Sequence, residues 1–138
     1  MRIMIVEDEA LLALELESEL QSAGHQVVGH AMASKDAMNL AAQTMPDFAF
    51  VDIHLLDGPS GIDVGRHLHE LAIPYVFVTG NLKRIPEDFA GAIGAIEKPY
   101  TMSGLQNAVT FLETLVTAEN VPISSAPPSL VVAPAFAC

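Results

Sequence analysis

The sequence predicts an α/β fold in which a parallel sheet of five strands carries helices on both faces. Short, almost purely apolar runs alternate along the chain with longer segments whose apolar residues recur every three or four positions. The runs have the length of strands, and the longer segments have the periodicity of amphipathic helices. Regular alternation of strand and helix is typical of parallel sheets, because each crossover between parallel strands needs a connection that is usually a helix.

The predicted strands are the short apolar runs, each bounded by polar or turn-forming residues. They cover residues 2–6, 26–30, 48–53, 74–79 and 92–97. The third run reads FAFVDI, and its continuous apolarity is typical of a strand that is buried on both faces of a sheet.

Helices are predicted after the first, second, third and fifth strands. They cover about residues 7–24, 35–45, 62–71 and 103–119. Gly24 and Pro46 are suited to ending the first two, and Ser34 is a candidate cap for the start of the second. The segment after the fourth strand is ambiguous, because Pro86 permits only a short helix there.

Five strand–helix units in residues 1–118 fit a flavodoxin-like doubly wound sheet with the strand order 2-1-3-4-5. Residues 119–138, here called the C-terminal tail, contain four prolines and no charged residue after Glu119, which predicts a flexible segment. Cys138 is the single cysteine and is expected to be an inert thiol. Since only this tail follows the last helix, we expect a stand-alone domain without an output domain.

Charge and hydropathy exclude several classes of partner. The net charge is −11, from 6 Lys and Arg against 17 Asp and Glu, whereas nucleic-acid and anionic-membrane binding rely on basic residues. No apolar run reaches the ~18–20 residues of a membrane span, and the N-terminal run is too short for a signal peptide. We therefore expect a cytoplasmic protein that binds neither nucleic acid nor membrane.

Polar residues stand at the carboxyl ends of four predicted strands. Glu7 and Asp8 follow the first strand, Asp52 ends the third, Thr79 ends the fourth and Lys98 follows the fifth. These ends meet at one edge of a parallel sheet, where doubly wound folds bind their ligands. Two carboxylates ~4 Å apart repel by about 4 kcal/mol at an effective dielectric of ~20, so three of them need a cation. Lys98 supplies one positive charge, and Mg²⁺, which prefers oxygen ligands, would supply two more.

This set of residues resembles the receiver domain of two-component response regulators over about residues 1–118. The matching features are the acidic pair Glu7-Asp8, then Asp52, Thr79, and the dipeptide Lys98-Pro99 followed by Tyr100. The stretch YVFVTGN, residues 75–81, also resembles the FATG motif of an alphaproteobacterial subclass of single-domain receivers.

The resemblance implies a phosphorylation reaction rather than turnover of a substrate. Asp52 would accept a phosphoryl group from a sensor histidine kinase or a histidine phosphotransfer protein. Glu7, Asp8, Asp52 and the backbone carbonyl of His54 would bind Mg²⁺, while Lys98 and Thr79 would neutralise the phosphoryl oxygens. Such a protein acts as a phosphorelay shuttle, as a phosphate sink, or as a switch that binds a downstream protein target.

Three departures from the family pattern stand out. The first acidic residue is Glu7 where Asp is usual, and the loop LLDGPSG after Asp52 lacks the usual proline and is one residue longer. Ala95 replaces the aromatic residue that usually stands three positions before the lysine, so switching must use another route. Two alternatives stay open from sequence: a flavodoxin-like, metal-dependent phosphatase with Asp52 as nucleophile, and a degenerate receiver that binds partners without phosphate.

Overall fold

The computed structural model describes residues 1–117 and 126–136, which form one sheet with helices on both faces. The strands are β1 (Arg2–Val6), β2 (Gln26–Ala31), β3 (Phe48–Val51), β4 (Tyr75–Thr79), β5 (Gly94–Glu97) and β6 (Val131–Val132). The helices are α1 (Ala10–Ser22), α2 (Ser34–Thr44), α3 (Gly61–Glu70) and α4 (Met102–Thr117). The first five strands are parallel and lie in the order β2-β1-β3-β4-β5, which confirms the predicted topology.

Side chains of the central strands alternate between two buried clusters, one on each face of the sheet. Ile3 and Ile5 of β1 pack into the first cluster with apolar residues of α1 and α4. Met4 and Val6 pack into the second cluster with residues of α2 and α3. Every residue of β3 and β4 is buried, as the continuous apolar run of the third strand predicts.

The longest helix among the described residues is α4, with 16 residues. The apolar residues that recur along this helix in the sequence face the first cluster: Leu105, Val109 and Leu112 are buried there, and Val116 is partly buried. Within residues 1–117 and 126–136, no helix combines the length and the apolarity that crossing a membrane requires.

The sheet contains a sixth strand, β6, in addition to the five parallel strands that the sequence predicts. β6 pairs antiparallel with Gly94 and Ala95 of β5. A Cβ on Gly94 would lie 2.2 Å from the carbonyl oxygen of Val131, so the close pairing depends on the glycine. Leu130, which precedes β6, is buried in the first cluster and anchors the strand.

This sixth strand belongs to the C-terminal tail, for which the sequence predicts flexibility. Residues 126–136 of the tail, here called the docked segment, pack against the sheet. Residues 118–125, 137 and 138 lie outside the described part of the chain, and so does the prediction of an inert Cys138. The domain boundary at residue 118 stays a prediction.

The segment between β4 and β5, residues 80–93, is here called the linking segment. It contains two short 3-10 turns, Leu82–Arg84 and Phe89–Gly91, which lie on either side of Pro86. The expectation that proline permits only short helical structure here is confirmed.

Candidate functional site

The four predicted strand ends converge at the carboxyl edge of the sheet. Glu7 directly follows β1, Asp52 directly follows β3, Thr79 is the last residue of β4, and Lys98 directly follows β5. Backbone hydrogen bonds extend the pairing past the strands: the Asp52 N–H donates to Val6 O at 2.8 Å, and the Lys98 N–H donates to Thr79 O at 2.8 Å. The side chains of Glu7, Asp52 and Lys98 therefore start from rigid backbone.

Glu7, Asp8 and Asp52 form an acidic group that has the composition of a cation site. One carboxylate oxygen from each lies within 4.8 Å of the others. Glu7 and Asp52 are 5% and 6% exposed, whereas Asp8 is half-buried. Carboxylate oxygens that converge at this spacing suit a hard divalent cation such as Mg²⁺.

The ammonium of Lys98 compensates part of this negative charge. Its Nζ lies 2.9 Å from Asp52 Oδ2 and 3.2 Å from Glu7 Oε2. Burial alone would lower the pKa of Lys98, but the hydrogen bond and charge of Asp52, together with Glu7, outweigh burial and raise it. Lys98 is therefore a permanent cation, and it explains how a buried strand can end in the carboxylate of Asp52.

One ammonium does not neutralise three carboxylates. Burial, followed by repulsion from Asp52, raises the pKa of Glu7 to about 7 even though Lys98 acts in the opposite direction. Two carboxylates ~4 Å apart repel by about 4 kcal/mol at an effective dielectric of ~20, which is the size of effect that a bound cation would remove. The acidic group thus fits a divalent cation on chemical grounds.

Thr79 is buried at the same edge, with 2% of its surface exposed. Its hydroxyl accepts a hydrogen bond from the Asn81 N–H at 3.1 Å and lies 3.4 Å from the Asn81 carbonyl oxygen. In this arrangement the hydroxyl is engaged by the first residues of the linking segment. Its predicted contact with a phosphoryl group stays a prediction.

His54 lies two residues beyond Asp52, and its side chain is exposed. Among the described residues, the acidic group consists of Glu7, Asp8 and Asp52, without the His54 ring. The expected metal ligand is the backbone carbonyl of His54, and that role stays a prediction.

The start of α3 lies directly against the backbone of the site. A Cβ on Gly61 would lie 2.0 Å from the carbonyl oxygen of Asp52, so no larger residue fits at the first position of this helix. The Gly61 N–H also donates to Ile53 O at 2.9 Å. Gly61 therefore lets α3 begin against the peptide that carries Asp52.

Two contacts near the site involve residues that no sequence pattern connects with the acidic group. Nε2 of His30, on β2, lies 2.7 Å from the backbone oxygen of Glu7, so this ring supports the acidic loop. Asp57, in the loop after Asp52, accepts hydrogen bonds from Ser34 and Ser60. No spacing pattern in the sequence predicts the contact between His30 and Glu7. For Asp57, the only local signal is the Asp-Gly dipeptide, which predicts a turn.

Ala95 is completely buried in the second cluster. Apolar side chains of the linking segment, Leu82, Ile85 and Phe89, pack against the same cluster. Ala95, which replaces the aromatic residue expected at this position, is thus a small core residue beneath the linking segment.

Comparisons with known proteins agree with this geometry. The model of the response regulator receiver domain family matches residues 3–110 of the chain. The phyllosphere-induced regulator PhyR of Methylorubrum extorquens is 37% identical over 84 residues, which cover 59% of this chain and 32% of that protein. The transcriptional regulatory protein PdtaR of Mycobacterium tuberculosis is 31% identical over 112 residues, which cover 78% of this chain and 54% of that protein.

A solved structure is similar at the level of the fold as well. The crystal structure of the response regulator PhyR from Brucella abortus matches with a TM-score of 0.66 and 35% identity, over 76% of this chain and 44% of that one. The chain thus spans about a third to a half of the length of these relatives.

Proposed function

This chain belongs to the response regulator receiver domain family, and on that premise we propose that it accepts a phosphoryl group on the carboxylate of Asp52. The observation that carries the proposal is the position of that carboxylate. It is buried at the carboxyl edge of the sheet, it lies 2.9 Å from the Lys98 ammonium, and it belongs to the acidic group with Glu7 and Asp8.

In the proposed reaction, a carboxylate oxygen of Asp52 attacks the phosphorus of a phosphohistidine. The new P–O bond forms as the P–N bond breaks, and the imidazole of the donor keeps the electron pair and takes a proton from solvent. Phosphoryl transfer requires an in-line nucleophile and neutralisation of the equatorial oxygens, with little other covalent work. Lys98 is proposed to neutralise one of those oxygens, and the contact of its ammonium with Asp52 Oδ2 at 2.9 Å supports this role.

Glu7, Asp8 and Asp52 are the side chains proposed to hold Mg²⁺, joined by the carbonyl of His54. When bound, Mg²⁺ supplies positive charge that stabilises the negative charge on the transferring group. Thr79 is proposed to donate its hydroxyl hydrogen to a phosphoryl oxygen in place of the Asn81 carbonyl oxygen, which lies 3.4 Å from the hydroxyl.

The surface beside the site supports a protein as the phosphoryl donor. Leu11 and Leu14 on α1 are 70% and 62% exposed. A groove of about 420 Å³ lies next to them, lined by Leu12, Glu15, Lys98, Pro99 and Tyr100. An apolar surface rimmed by polar residues is typical of protein contacts, and a histidine kinase or histidine phosphotransfer protein is the proposed partner.

The role after phosphorylation is proposed in the same three forms: shuttle, sink, or switch for a downstream protein target. Each of these three roles is proposed to operate in the cytoplasm, where kinases have access to ATP. The phosphatase alternative needs a general acid beside Asp52, and no specific observation favours it.

The proposal is tested by incubating the protein with Mg²⁺ and a small phosphodonor and then weighing the intact protein. A lasting gain of one phosphoryl group, lost in Asp52→Asn, supports the receiver function. Rapid multiple turnover of the donor without a lasting mass gain would support the phosphatase instead. No uptake and no turnover by the wild-type protein would favour the degenerate receiver.

A further inference from the structure

The loop that follows Asp52, residues 53–60, is held by hydrogen bonds at several points. The Leu55 N–H donates to Gly58 O at 2.8 Å, and the Gly58 N–H donates back to Leu55 O at 3.1 Å. The Leu56 N–H donates to Met32 O at 3.0 Å, which ties the loop to the connection between β2 and α2. The loop is therefore ordered by contacts with a segment far from it in sequence.

Asp57 provides the strongest of these ties. Both of its carboxylate oxygens lie 3.2 Å from the Ser34 backbone nitrogen, and the Ser34 hydroxyl donates to Oδ2. The Ser60 hydroxyl donates to Oδ1 at 2.5 Å. Ser34, Asp57 and Ser60 are here called the clasp. They join the start of α2 to the loop across 23 residues of sequence.

The clasp holds the carboxylate of Asp57, which lies outside the acidic group. Its donors hold the carboxylate at the amino end of α2, where a negative charge is favourable. Hydrogen bonds from Ser34 and then Ser60 lower the pKa of Asp57 to about 2, so the carboxylate stays ionised at neutral pH. Asp57 is not a member of the acidic group, which consists of Glu7, Asp8 and Asp52.

We propose that Asp57 is a positioning residue for the phosphoacceptor site, acting through the loop that leads away from Asp52. The clasp fixes that loop against α2, and the loop carries the His54 carbonyl and continues into Gly61, which contacts the Asp52 backbone. The inference rests on the proposed function of Asp52. The alternative is that Asp57 only caps α2. Such a cap would stabilise the fold without affecting the site.

Loss of the clasp should therefore weaken cation binding and slow phosphorylation, beyond any loss of stability. Residues that orient metal ligands from outside the ligand set typically change metal affinity or activity by ~10–100-fold when mutated. We expect Asp57→Ala to weaken Mg²⁺ binding by ~10-fold or more and to slow phosphorylation by a small phosphodonor to a similar degree. Amide exchange in residues 53–60 should accelerate in the same variant.

The experiment compares four full-length variants with the wild type, well below the melting temperature of each. Asp57→Ala removes the acceptor, Ser34→Ala removes one donor with a milder effect on folding, and Ser34→Thr restores the hydroxyl. Asp47→Ala is the matched control, because Asp47 is also exposed and accepts a backbone N–H, that of Arg2 at 2.8 Å, before the start of β3. Mg²⁺ affinity by calorimetry, phosphorylation rate and amide exchange are measured for each.

The proposal is supported if Asp57→Ala and Ser34→Ala weaken Mg²⁺ binding while Ser34→Thr and Asp47→Ala match the wild type. It is overturned if Asp57→Ala only lowers the melting temperature, with unchanged Mg²⁺ affinity and unchanged exchange in residues 53–60. If the wild type takes up no phosphoryl group, the proposed function of Asp52 fails. The clasp is then judged on Mg²⁺ affinity and exchange alone, which need no phosphorylation.

Discussion

The hydroxyl of Thr79 accepts a hydrogen bond from the backbone N–H of Asn81 at 3.1 Å, which links the end of β4 to the linking segment. A phosphoryl group on Asp52 would compete with the Asn81 carbonyl oxygen, 3.4 Å away, for the hydrogen of this hydroxyl. If Thr79 turned toward the phosphoryl oxygen, Asn81 would lose its acceptor and the start of the linking segment would be released. This contact offers a route for the signal that does not require an aromatic ring at Ala95.

The linking segment, residues 80–93, should therefore respond to phosphorylation more than any other described segment. We expect the largest change in amide hydrogen exchange there when beryllofluoride and Mg²⁺ are added as a phosphoryl mimic. Thr79→Ala should lose that change while it still accepts phosphate on Asp52. Thr110→Ala is the control, because its hydroxyl donates within α4, to Gln106 O at 2.9 Å. Equal responses of Thr79→Ala and the wild type would rule out this route.

Mg²⁺ should stabilise the fold through the acidic group. A ligand that binds only the native state stabilises it by RT ln(1 + [L]/Kd), about 2.7 kcal/mol at a hundredfold excess over Kd. The melting temperature should rise with millimolar Mg²⁺, and the rise should be much smaller in Asp8→Asn. Glu70→Gln, which removes one exposed charge at the end of α3, should respond like the wild type. A similar shift in Asp8→Asn and the wild type would remove Asp8 from the metal site.

The clasp should make stability depend on pH in the acidic range. The pKa of Asp57 falls from its usual 3.8 to about 2 on folding, so the folded state binds fewer protons than the unfolded state between these values. The stabilisation is fully present above the unfolded pKa and is lost as the pH falls toward 2. Asp57→Asn should thus unfold at a lower urea concentration at neutral pH, with a difference that disappears near pH 2. In a Ser34→Ala background the difference at neutral pH should be smaller, and an unchanged difference would contradict the assignment to the clasp.

The docked segment should contribute to stability through Leu130, which is 5% exposed in the first cluster. Leu130→Ala should lower the free energy of unfolding in urea by about 2–5 kcal/mol, the usual cost of removing a buried leucine side chain. The neighbouring Val131 is 40% exposed, so Val131→Ala should cost less than about 1 kcal/mol. Equal losses in the two variants would show that Leu130 does not anchor the segment.

Sequence reasoning succeeded where local patterns determine structure. Apolar runs such as FAFV mark strands that are buried on both faces. The five strand–helix units fit a flavodoxin-like doubly wound sheet, and the five parallel strands have the order of that fold. Since the carboxyl ends of parallel strands share one edge, Glu7, Asp52 and Lys98 were predicted to meet, and the structure brings them into contact.

The features that were missed depend on contacts between distant segments. β6 is only two residues long and follows prolines, so its pairing is favoured by the bare backbone of Gly94 rather than by its own pattern. The clasp joins Ser34 to Asp57. From the sequence alone, the Asp-Gly dipeptide at Asp57 predicts a turn and no contact with Ser34. His30 contacts the Glu7 carbonyl from the neighbouring strand. No helical or strand periodicity in the sequence predicts this contact.

The most direct test of the account is to locate the phosphoryl group after reaction with Mg²⁺ and a small phosphodonor. Borohydride reduces an acyl phosphate to an alcohol, which marks the phosphorylated carboxyl group permanently for peptide mass spectrometry. We predict that the mark appears at Asp52 and at no other residue, and that Asp52→Asn carries none. A mark on a different residue, or an equal yield in Asp52→Asn, would contradict the assignment of Asp52 as the phosphoacceptor.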